Sequence, residues 1–397
     1  MAGVALTPSL AELAPRAAGG APLRLAVAGA GRQGRAVLQE LQQIEGAEVV
    51  AVCDTDAGRL ERATRRARGL RGYASVEELL DGESELEALV VATPTHAHRG
   101  PAEAALEAGL HVYCEAPLAS TVEDSRALAA RARASERVFA VGLLARANPI
   151  YALARSFHRS GTLRELVSLA ARDHRKTSWR NPVSDPERQE RLDWRLDPAL
   201  SLGLAGELGT QQFDVFHWFL GLYPVSVRGS GSVRVHEDGR EVADTAACEL
   251  AFEDGLRLHW EASLGNSYEG RLEVLRGSMA SFELAWTHGW MFKEAEAPTQ
   301  GWEVYANRQT FHADQGITLI ADATKLAAQG KLEEGVGLPH PPLHYALARF
   351  VAACAGEGEV HCGAEEGHRS TVVGLKASEA VTSGETVEIP PELLEVR

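Results

Sequence analysis

A glycine-rich turn between a short apolar run and a helical pattern constrains this chain more than any other feature. The apolar run Leu23–Gly29 is followed, over residues 35–44, by apolar residues at helical spacing. The turn between them is the GxGxxG motif of Gly29, Ala30, Gly31, Arg32, Gln33 and Gly34. Strand, glycine turn and helix in this order are typical of the first unit of a dinucleotide-binding domain.

Each glycine of the motif has its own task in such a unit. Gly29 allows the tight turn, Gly31 lets the backbone approach a pyrophosphate, and Gly34 lets the helix pack closely on the strand. The first helical residues, Arg32 and Gln33, bring unpaired N–H groups and the positive end of the helix dipole to the phosphates. We therefore expect a dinucleotide cofactor at this turn.

An acidic residue stands where the unit needs one. The second predicted strand covers 48–53 and Asp54 follows it, 20 positions after Gly34. Its carboxylate would accept hydrogen bonds from the adenosine ribose and repel a 2′-phosphate, so NAD is expected rather than NADP. The arginines of the next predicted helix either reach a 2′-phosphate or form a solvated face. They are Arg59, Arg62, Arg65 and Arg66.

Apolar strands alternate with helical patterns through the first part of the chain. Further predicted strands cover 88–92, 111–114 and 138–141. Strands separated by helices of this length indicate βαβ units and a parallel sheet covered on both faces. We expect a Rossmann domain over residues 23–144, preceded by a flexible arm at 1–22.

Composition excludes several classes of protein. Forty lysines and arginines against 55 acidic residues leave a net charge of −15, which argues against a nucleic-acid binder. No apolar stretch reaches the ~20 residues that a membrane-spanning helix needs. The five cysteines form no CxxC pair, which argues against a disulfide scaffold or zinc ribbon. With no secretory signal pattern at the N-terminus, we expect a cytoplasmic chain with reduced thiols.

Three segments besides the glycine motif carry a family resemblance. They are 93–98 (TPTHAH), 111–119 (HVYCEAPLA) and 203–214 (GLAGELGTQQFD). Together they resemble the Gfo/Idh/MocA family of glucose–fructose oxidoreductase and inositol dehydrogenase. The resemblance implies an α/β fold: the Rossmann domain, then over 145–397 an α/β domain with a large, mostly antiparallel open sheet and C-terminal helices returning toward the first domain.

The family resemblance also implies a function. It implies an NAD-dependent oxidoreductase that acts on a sugar, polyol or related carbohydrate by hydride transfer. A sheet with one uncovered face usually buries that face against a partner, so we expect a homo-oligomer, dimer or tetramer, formed through the open sheet. Neither nucleic acid nor membrane is expected as a partner.

The resemblance further implies which residues contact the cofactor beyond the glycine motif and Asp54. These residues are Thr93, Pro94, Thr95, His98, Glu115, Ala116 and Pro117. His96 and His98 alternate on the same loop, but no carboxylate or cysteine pair accompanies them, so no metal site is expected.

The chain departs from the family at three catalytic positions. Ala116 stands in place of the family's lysine, and Glu207 and Gln211 stand in place of its aspartate and histidine. Ala116 has no polar side-chain atom, and Gln211 forms hydrogen bonds but does not titrate. Because a positioned acid or base contributes ~10²–10⁴ in rate, these changes bear directly on catalysis.

Other residues are candidates to replace the missing groups. A predicted strand over 165–173 continues through His174 and Lys176, which a period of two places on the same side. With Glu207 they are the candidate catalytic residues, although both also fit solvated strand ends. The candidate substrate contacts are Trp194, Arg195, Gln211 and Asp214.

Three functions remain open at this point. The first is the oxidoreductase with a rearranged acid/base set, including a variant that retains NAD and oxidises a sugar transiently, as a glycosidase or isomerase. The second is a protein that binds NAD and a sugar without net turnover. The third is a structural subunit with a vestigial cofactor site.

Overall fold

Two β-sheets, one parallel and one mostly antiparallel, organise the chain. The computed structural model describes residues 21–67, 69–298, 308–311, 314–321, 326, 329, 331 and 335–396. The predicted N-terminal arm at 1–22 therefore lies outside the described residues except for its last two.

The first sheet has six parallel strands in the order β3-β2-β1-β4-β5-β6. Its strands are β1 (Leu23–Ala28), β2 (Ala47–Cys53), β3 (Arg71–Tyr73), β4 (Ala88–Val91), β5 (His111–Glu115) and β6 (Phe139–Gly142). The connecting helices are α1 (Arg32–Leu41), α2 (Ala57–Arg66), α3 (Val76–Gly82), α4 (Arg99–Glu107) and α5 (Val122–Arg133). The predicted Rossmann fold is confirmed, and the strand order reverses between β1 and β4, where such sheets bind dinucleotides.

Two details of this sheet differ from the prediction. Helix α1 begins at Arg32 rather than at 35, because Gly34 forms part of its first turn. Strand β3 was not predicted, since it has three residues and none of them is buried.

The second sheet has ten strands within the described residues, in the order β14-β15-β13-β12-β11-β7-β10-β9-β8-β16. The strands are β7 (Leu166–His174), β8 (Ser226–Ser232), β9 (Thr245–Ala251), β10 (Arg257–Ser263), β11 (Arg271–Gly277), β12 (Ala280–Ala285), β13 (His288–Lys293), β14 (Arg308–Phe311), β15 (Asp314–Thr318) and β16 (Thr386–Glu388). The pair β7–β10 is parallel, whereas β7–β11 and the other pairs described are antiparallel. The expected mostly antiparallel sheet is confirmed.

The two faces of the second sheet differ in chemistry. On β7, Leu169, Ala171 and Asp173 are buried, whereas the alternate residues Arg172 and His174 are only partly buried. The buried face packs against helices α6 (Pro149–Arg159), α8 (Thr210–Leu220) and α10 (Ala364–Ser383). We call the opposite face, which carries Arg172 and His174, the outer face.

The last two helices pack against the first domain. Helix α9 (Pro342–Cys354) contributes Leu347 and Phe350 to the apolar cluster that contains Val37 of α1. From α10, the Thr371 hydroxyl accepts a 2.9 Å hydrogen bond from the Leu118 backbone N–H. The C-terminal part of the chain thus covers both sides of the cofactor domain.

Two further observations concern the helices and the cysteines. Within the described ranges, no helix combines the length and the apolar character needed to cross a membrane. All five cysteines are free thiols, and all except Cys354 are buried.

Candidate active site

The glycine turn has the shape that a dinucleotide phosphate requires. Gly29 has φ +98°, and a Cβ there would lie 2.5 Å from the Ala92 carbonyl oxygen. A Cβ on Gly34 would lie 1.7 Å from the Gly29 carbonyl oxygen, so α1 approaches the turn as closely as backbone permits. Gly31 differs, because a Cβ there would meet only the Arg59 guanidinium, at 3.5 Å. The space in front of Gly31 and the first N–H groups of α1 fit a pyrophosphate.

Asp54 lies directly beside this turn. Its Oδ2 accepts a 2.7 Å hydrogen bond from the Ala30 N–H, and its Oδ1 accepts a 2.8 Å hydrogen bond from the Asp56 N–H. Of the arginines of α2, Arg59 borders this turn, because its guanidinium lies 3.5 Å from the place of a Gly31 Cβ.

Helix α2 also connects the cofactor domain to a helix beyond it, α7 (Pro186–Leu192). Asp56 caps α2 by accepting from the Arg59 N–H at 2.8 Å. The Arg188 guanidinium of α7 donates to Asp56 Oδ2 at 2.6 Å and to Oδ1 at 2.9 Å. No sequence pattern indicated this ion pair, because its members are 132 positions apart.

His98 ties together the loops that follow β4 and β5. Its ring nitrogens lie 2.8 Å from the Pro117 carbonyl oxygen and 3.0 Å from that of Thr93. Burial lowers the pKa of His98 to about 4, so the ring is neutral at ordinary pH and donates to one of these carbonyls at a time. The residue thus acts on the cofactor loops by holding their backbones.

Glu115, at the end of β5, faces the first turn of α1. Its Oε1 accepts a 2.9 Å hydrogen bond from the Gln33 amide. Burial raises the pKa of Glu115 to about 7, although the Gln33 hydrogen bond opposes this shift. The peptide bond of the next pair, Ala116–Pro117, is cis.

The second domain brings one carboxyl to this edge of the first sheet. Glu207 lies in a π-helical turn, Ala205–Gly209, that leads into α8. Its Oε2 accepts a 3.1 Å hydrogen bond from the Thr95 hydroxyl and lies 3.6 Å from the Arg195 Nε. Its Oε1 is buried and accepts no hydrogen bond of normal geometry from the described residues. Burial raises the pKa of Glu207, and the Arg195 charge opposes that rise.

Arg195 lies among aromatic rings beside Glu207. Its guanidinium carbon is 4.3 Å from the Trp194 ring centre and 5.8 Å from that of Trp179. Trp194 meets the ring of His96 edge-on, at 5.4 Å between ring centres. The structure thus brings Trp194, Arg195 and Glu207 together, with the rings of Trp179 and His96 beside them.

The polar atoms of Gln211 and Asp214 are engaged within the protein. The Gln211 side-chain oxygen accepts from the Leu144 N–H at 3.2 Å, and its amide donates to the Gly142 carbonyl at 2.6 Å. Asp214 accepts two hydrogen bonds from Arg146, at 2.8 and 2.9 Å, and a third from the Ser370 hydroxyl at 2.6 Å. Both residues hold the region together through these hydrogen bonds.

His174 and Lys176 lie apart from Glu207. The His174 Nδ1 is 3.1 Å from the Tyr268 carbonyl oxygen, and its Nε2 is 3.5 Å from Glu261. The Lys176 ammonium donates to the Gly265 carbonyl at 2.9 Å. In the part of the chain that the structure describes, neither residue forms a hydrogen bond or ion pair with the Glu207 group.

Comparison with models of protein families shows which family the chain belongs to. Residues 23–143 match the model described as an oxidoreductase family with an NAD-binding Rossmann fold. Residues 151–289 match the C-terminal domain that the same family has. The chain belongs to the Gfo/Idh/MocA family. Its first domain is therefore the NAD-binding domain of a Gfo/Idh/MocA oxidoreductase.

Individual relatives agree with this assignment. Inositol 2-dehydrogenase 2 of Saccharopolyspora erythraea is 29% identical over 266 residues, which cover 66% of this chain and 73% of the relative. Inositol 2-dehydrogenase of Leifsonia xyli is 34% identical over 52% of this chain and 56% of its own length. The chain thus spans little more than half of that second relative.

Solved structures of the Gfo/Idh/MocA fold cover nearly the whole chain. An oxidoreductase domain protein from Kribbella flavida matches with a TM-score of 0.74 and 22% identity, over 94% of this chain and all of that one. Levoglucosan dehydrogenase in complex with NADH and L-sorbose matches with a TM-score of 0.73 and 19% identity, with the same shares covered. At these identities the likeness shows a common fold.

Proposed function

We propose that this protein oxidises a hydroxyl group of a sugar, polyol or related carbohydrate, and that Glu207 takes up the hydroxyl proton. The observation that carries the proposal is the position of Glu207, a buried carboxyl whose Oε2 contacts Thr95 of the cofactor loop and whose Oε1 accepts no hydrogen bond of normal geometry from the described residues. The substrate class is that of the relatives, whose names describe enzymes acting on inositol and levoglucosan.

Bound NAD supplies the acceptor for the hydride that leaves the carbinol carbon. On the protein side, the N–H groups at Gly31 receive the pyrophosphate and Asp54 receives the ribose hydroxyls. Thr95 lies on the loop after β4 and Glu115 is the last residue of β5, at the edge of the sheet where a nicotinamide ring would lie. These residues bind and orient the cofactor, and the chain's own acid/base group completes the reaction.

Glu207 is suited to proton transfer by its surroundings. A general base works best when its pKa approaches the working pH, and burial raises the pKa of this carboxyl toward that range. Oxidation breaks the O–H and C–H bonds of the carbinol, so the proton passes to Glu207 Oε1 while the hydride leaves carbon. Arg195, 3.6 Å from Oε2, keeps the carboxylate oriented and stabilises its charge.

The aromatic rings beside Arg195 suit a carbohydrate. A sugar ring presents apolar C–H faces that pack on Trp194 or Trp179, and hydroxyl groups that accept from the guanidinium. The proposal assigns no proton transfer to His174 or Lys176, since their polar atoms bind the loop around Gly265 and Tyr268.

A single-turnover experiment tests the proposal. Protein at high concentration is mixed with NAD and a panel of polyols and sugars, and the absorbance of reduced nicotinamide is followed. We expect reduction with at least one compound, a loss of about 10²–10⁴ in rate for Glu207→Gln, and no change for Glu261→Gln, a matched carboxyl on the outer face. His174→Ala and Lys176→Ala should also leave the rate unchanged.

Other outcomes identify the alternatives. Saturable NAD binding with no reduction by any compound would favour a sensor without turnover, which the absence of a polar atom at Ala116 permits. NAD that co-purifies and survives dialysis would favour transient oxidation within a glycosidase or isomerase. A rate that falls with Lys176→Ala but not with Glu207→Gln would overturn the role given to Glu207.

We also propose that the outer face of the second sheet joins two copies of this chain. Small side chains such as Ala170, Ala247 and Val274 line a shallow groove there. Several charges on the same face are already paired, as Arg228 is with Glu249 at 3.3 Å, which lowers the cost of covering them with a second copy. Light scattering tests this: Ala247→Arg should yield monomers, whereas Ala134→Arg, at the exposed end of α5, should not.

The free cysteines support a reducing location, and we propose the cytoplasm. Five thiols with no disulfide among them are typical of proteins kept in a reducing compartment. Fractionation of the producing cells, with a cytoplasmic and an exported marker protein, checks this placement.

A further inference from the structure

Three potential metal ligands meet far from the cofactor cleft, where the C-terminal helix α9 packs on α1. Glu40 lies near the end of α1, His340 lies two residues before α9, and His344 lies in the first turn of α9. One ligand atom from each residue falls within 4.8 Å of the others. His344 Nδ1 and Glu40 Oε2 are 3.2 Å apart.

Among the described residues, no lysine or arginine pairs with the carboxylate of Glu40. Its side chain is 8% exposed, and among the described residues its only ion-pairing partner is His344. A buried carboxylate that no lysine or arginine pairs with among the described residues is a place where a cation would gain from binding.

The donor set and its spacing fit one class of cation. Two imidazoles and a carboxylate are ligands that Zn²⁺ prefers, and tetrahedral coordination at ~2.1 Å places neighbouring ligand atoms about 3.4 Å apart. The 3.2 Å between His344 Nδ1 and Glu40 Oε2 is already close to that separation. We propose that Glu40, His340 and His344 form a Zn²⁺ site whose fourth ligand is water.

Binding requires two local changes. The His344 proton moves to Nε2, so that Nδ1 offers its lone pair to the metal. The rings of His340 and His344 are stacked, with centres 4.0 Å apart, and a metal must lie in the plane of each ring that binds it. His340 therefore turns out of the stack, which its partly exposed position before the helix allows.

The site would cross-link distant parts of the sequence. Glu40 belongs to the helix that follows the glycine turn, and His344 stands 304 positions later. A metal bound here would fasten α9 to the cofactor domain without contacting the cofactor residues, so its role would be structural. The spacing of ligands in sequence explains why no motif indicated it.

Zinc titration of the intact protein, prepared without a polyhistidine tag and stripped with chelator, tests the proposal. Calorimetry should show about one equivalent of Zn²⁺ bound, and the melting temperature should rise by about 5 °C at saturating metal. Co²⁺ in its place should give the visible absorption of a tetrahedral complex.

Matched variants make the test specific. His340→Gln should weaken Zn²⁺ binding at least about tenfold and leave the metal-free melting temperature unchanged. Glu40→Gln should do the same, while His259→Gln, which alters an exposed histidine 3.5 Å from Glu249, should have no effect. No binding by the wild type, or binding that survives both His340→Gln and Glu40→Gln, would overturn the proposal and leave only a hydrogen-bonded Glu–His pair.

Discussion

Arg188 donates two hydrogen bonds to Asp56, at 2.6 and 2.9 Å, and so joins α7 to the cap of α2 beside the cofactor site. The pKa of Asp56 is lowered to about 2, first by the Arg188 hydrogen bonds. This contact fixes the position of the segment that carries Trp194 and Arg195 relative to the glycine turn.

Removal of this ion pair should weaken both stability and cofactor binding. We expect Arg188→Gln to lower the free energy of unfolding at pH 7, because Asp56 then loses both hydrogen bonds from the guanidinium. Because the folded-state pKa of Asp56 lies below its ordinary value, the contribution is present above about pH 4 and is lost as the pH falls toward 2. Urea denaturation across this range, in a double-mutant cycle with Asp56→Asn, measures it. Equal losses at pH 7 and pH 2.5 would contradict the prediction.

The pH dependence of the reaction should report Glu207. Oxidation needs its carboxylate form, so the rate falls as the pH drops through the pKa of Glu207, which burial raises. Profiles of kcat/KM should lose this acid limb in Glu207→Gln. Glu115, whose pKa is about 7, could also produce an acid limb in the pH profile. We expect Glu115→Gln to lower NAD affinity but to keep the acid limb, which distinguishes it from Glu207→Gln.

The preference between NAD and NADP should depend on the balance between the negative charge of Asp54 and the positive charges of the arginines around it. Asp54 repels a 2′-phosphate, whereas the Arg59 guanidinium lies 3.5 Å from the place of a Gly31 Cβ and would attract one. Asp54→Ser should therefore raise the NADP:NAD ratio of kcat/KM by about tenfold or more. The double variant with Arg59→Ala should restore the original ratio, and an unchanged ratio in Asp54→Ser would exclude this balance.

The buried pair of Arg146 and Asp214 should matter for folding rather than for substrate affinity. Arg146→Met leaves the buried Asp214 with the Ser370 hydroxyl as its one remaining hydrogen-bond donor among the described residues, and we expect a cost of about 3–5 kcal/mol in the free energy of unfolding. Asp214→Asn should restore part of the loss when combined with it. If the single variant keeps its stability but loses substrate affinity, Asp214 is a substrate contact after all.

The local patterns of the sequence predicted the first domain well. The GxGxxG motif, the position of Asp54 and the apolar strands depend on neighbours within about 25 residues, and all have their expected places. The open sheet of the second domain followed from family resemblance, because its strand order brings β7 between β10 and β11, which no local pattern encodes.

The candidate site was only partly predictable for the same reason. A period of two predicts the same side for His174 and Lys176, but it did not show that the neighbouring residue Asp173 is buried on the core face and His174 lies on the outer face. Gln211 and Asp214 lie one turn apart on α8, yet their partners Gly142 and Arg146 come from the end of β6 and from the segment that follows it. Contacts across 60 to 130 positions decide these roles.

The packing of α9 and α10 on the first domain makes the order of synthesis matter. Leu347 and Phe350 complete an apolar cluster with Val27 and Tyr113 of the parallel sheet. A ribosome that has made the first 144 residues has not yet supplied these side chains, so the nascent cofactor domain keeps apolar surface exposed until the chain is nearly complete. The two sheets therefore reach their final packing together. A stop codon before residue 342 would leave the Rossmann sheet without the helices that cover it. We expect such a product to bind chaperones rather than to work as a smaller protein.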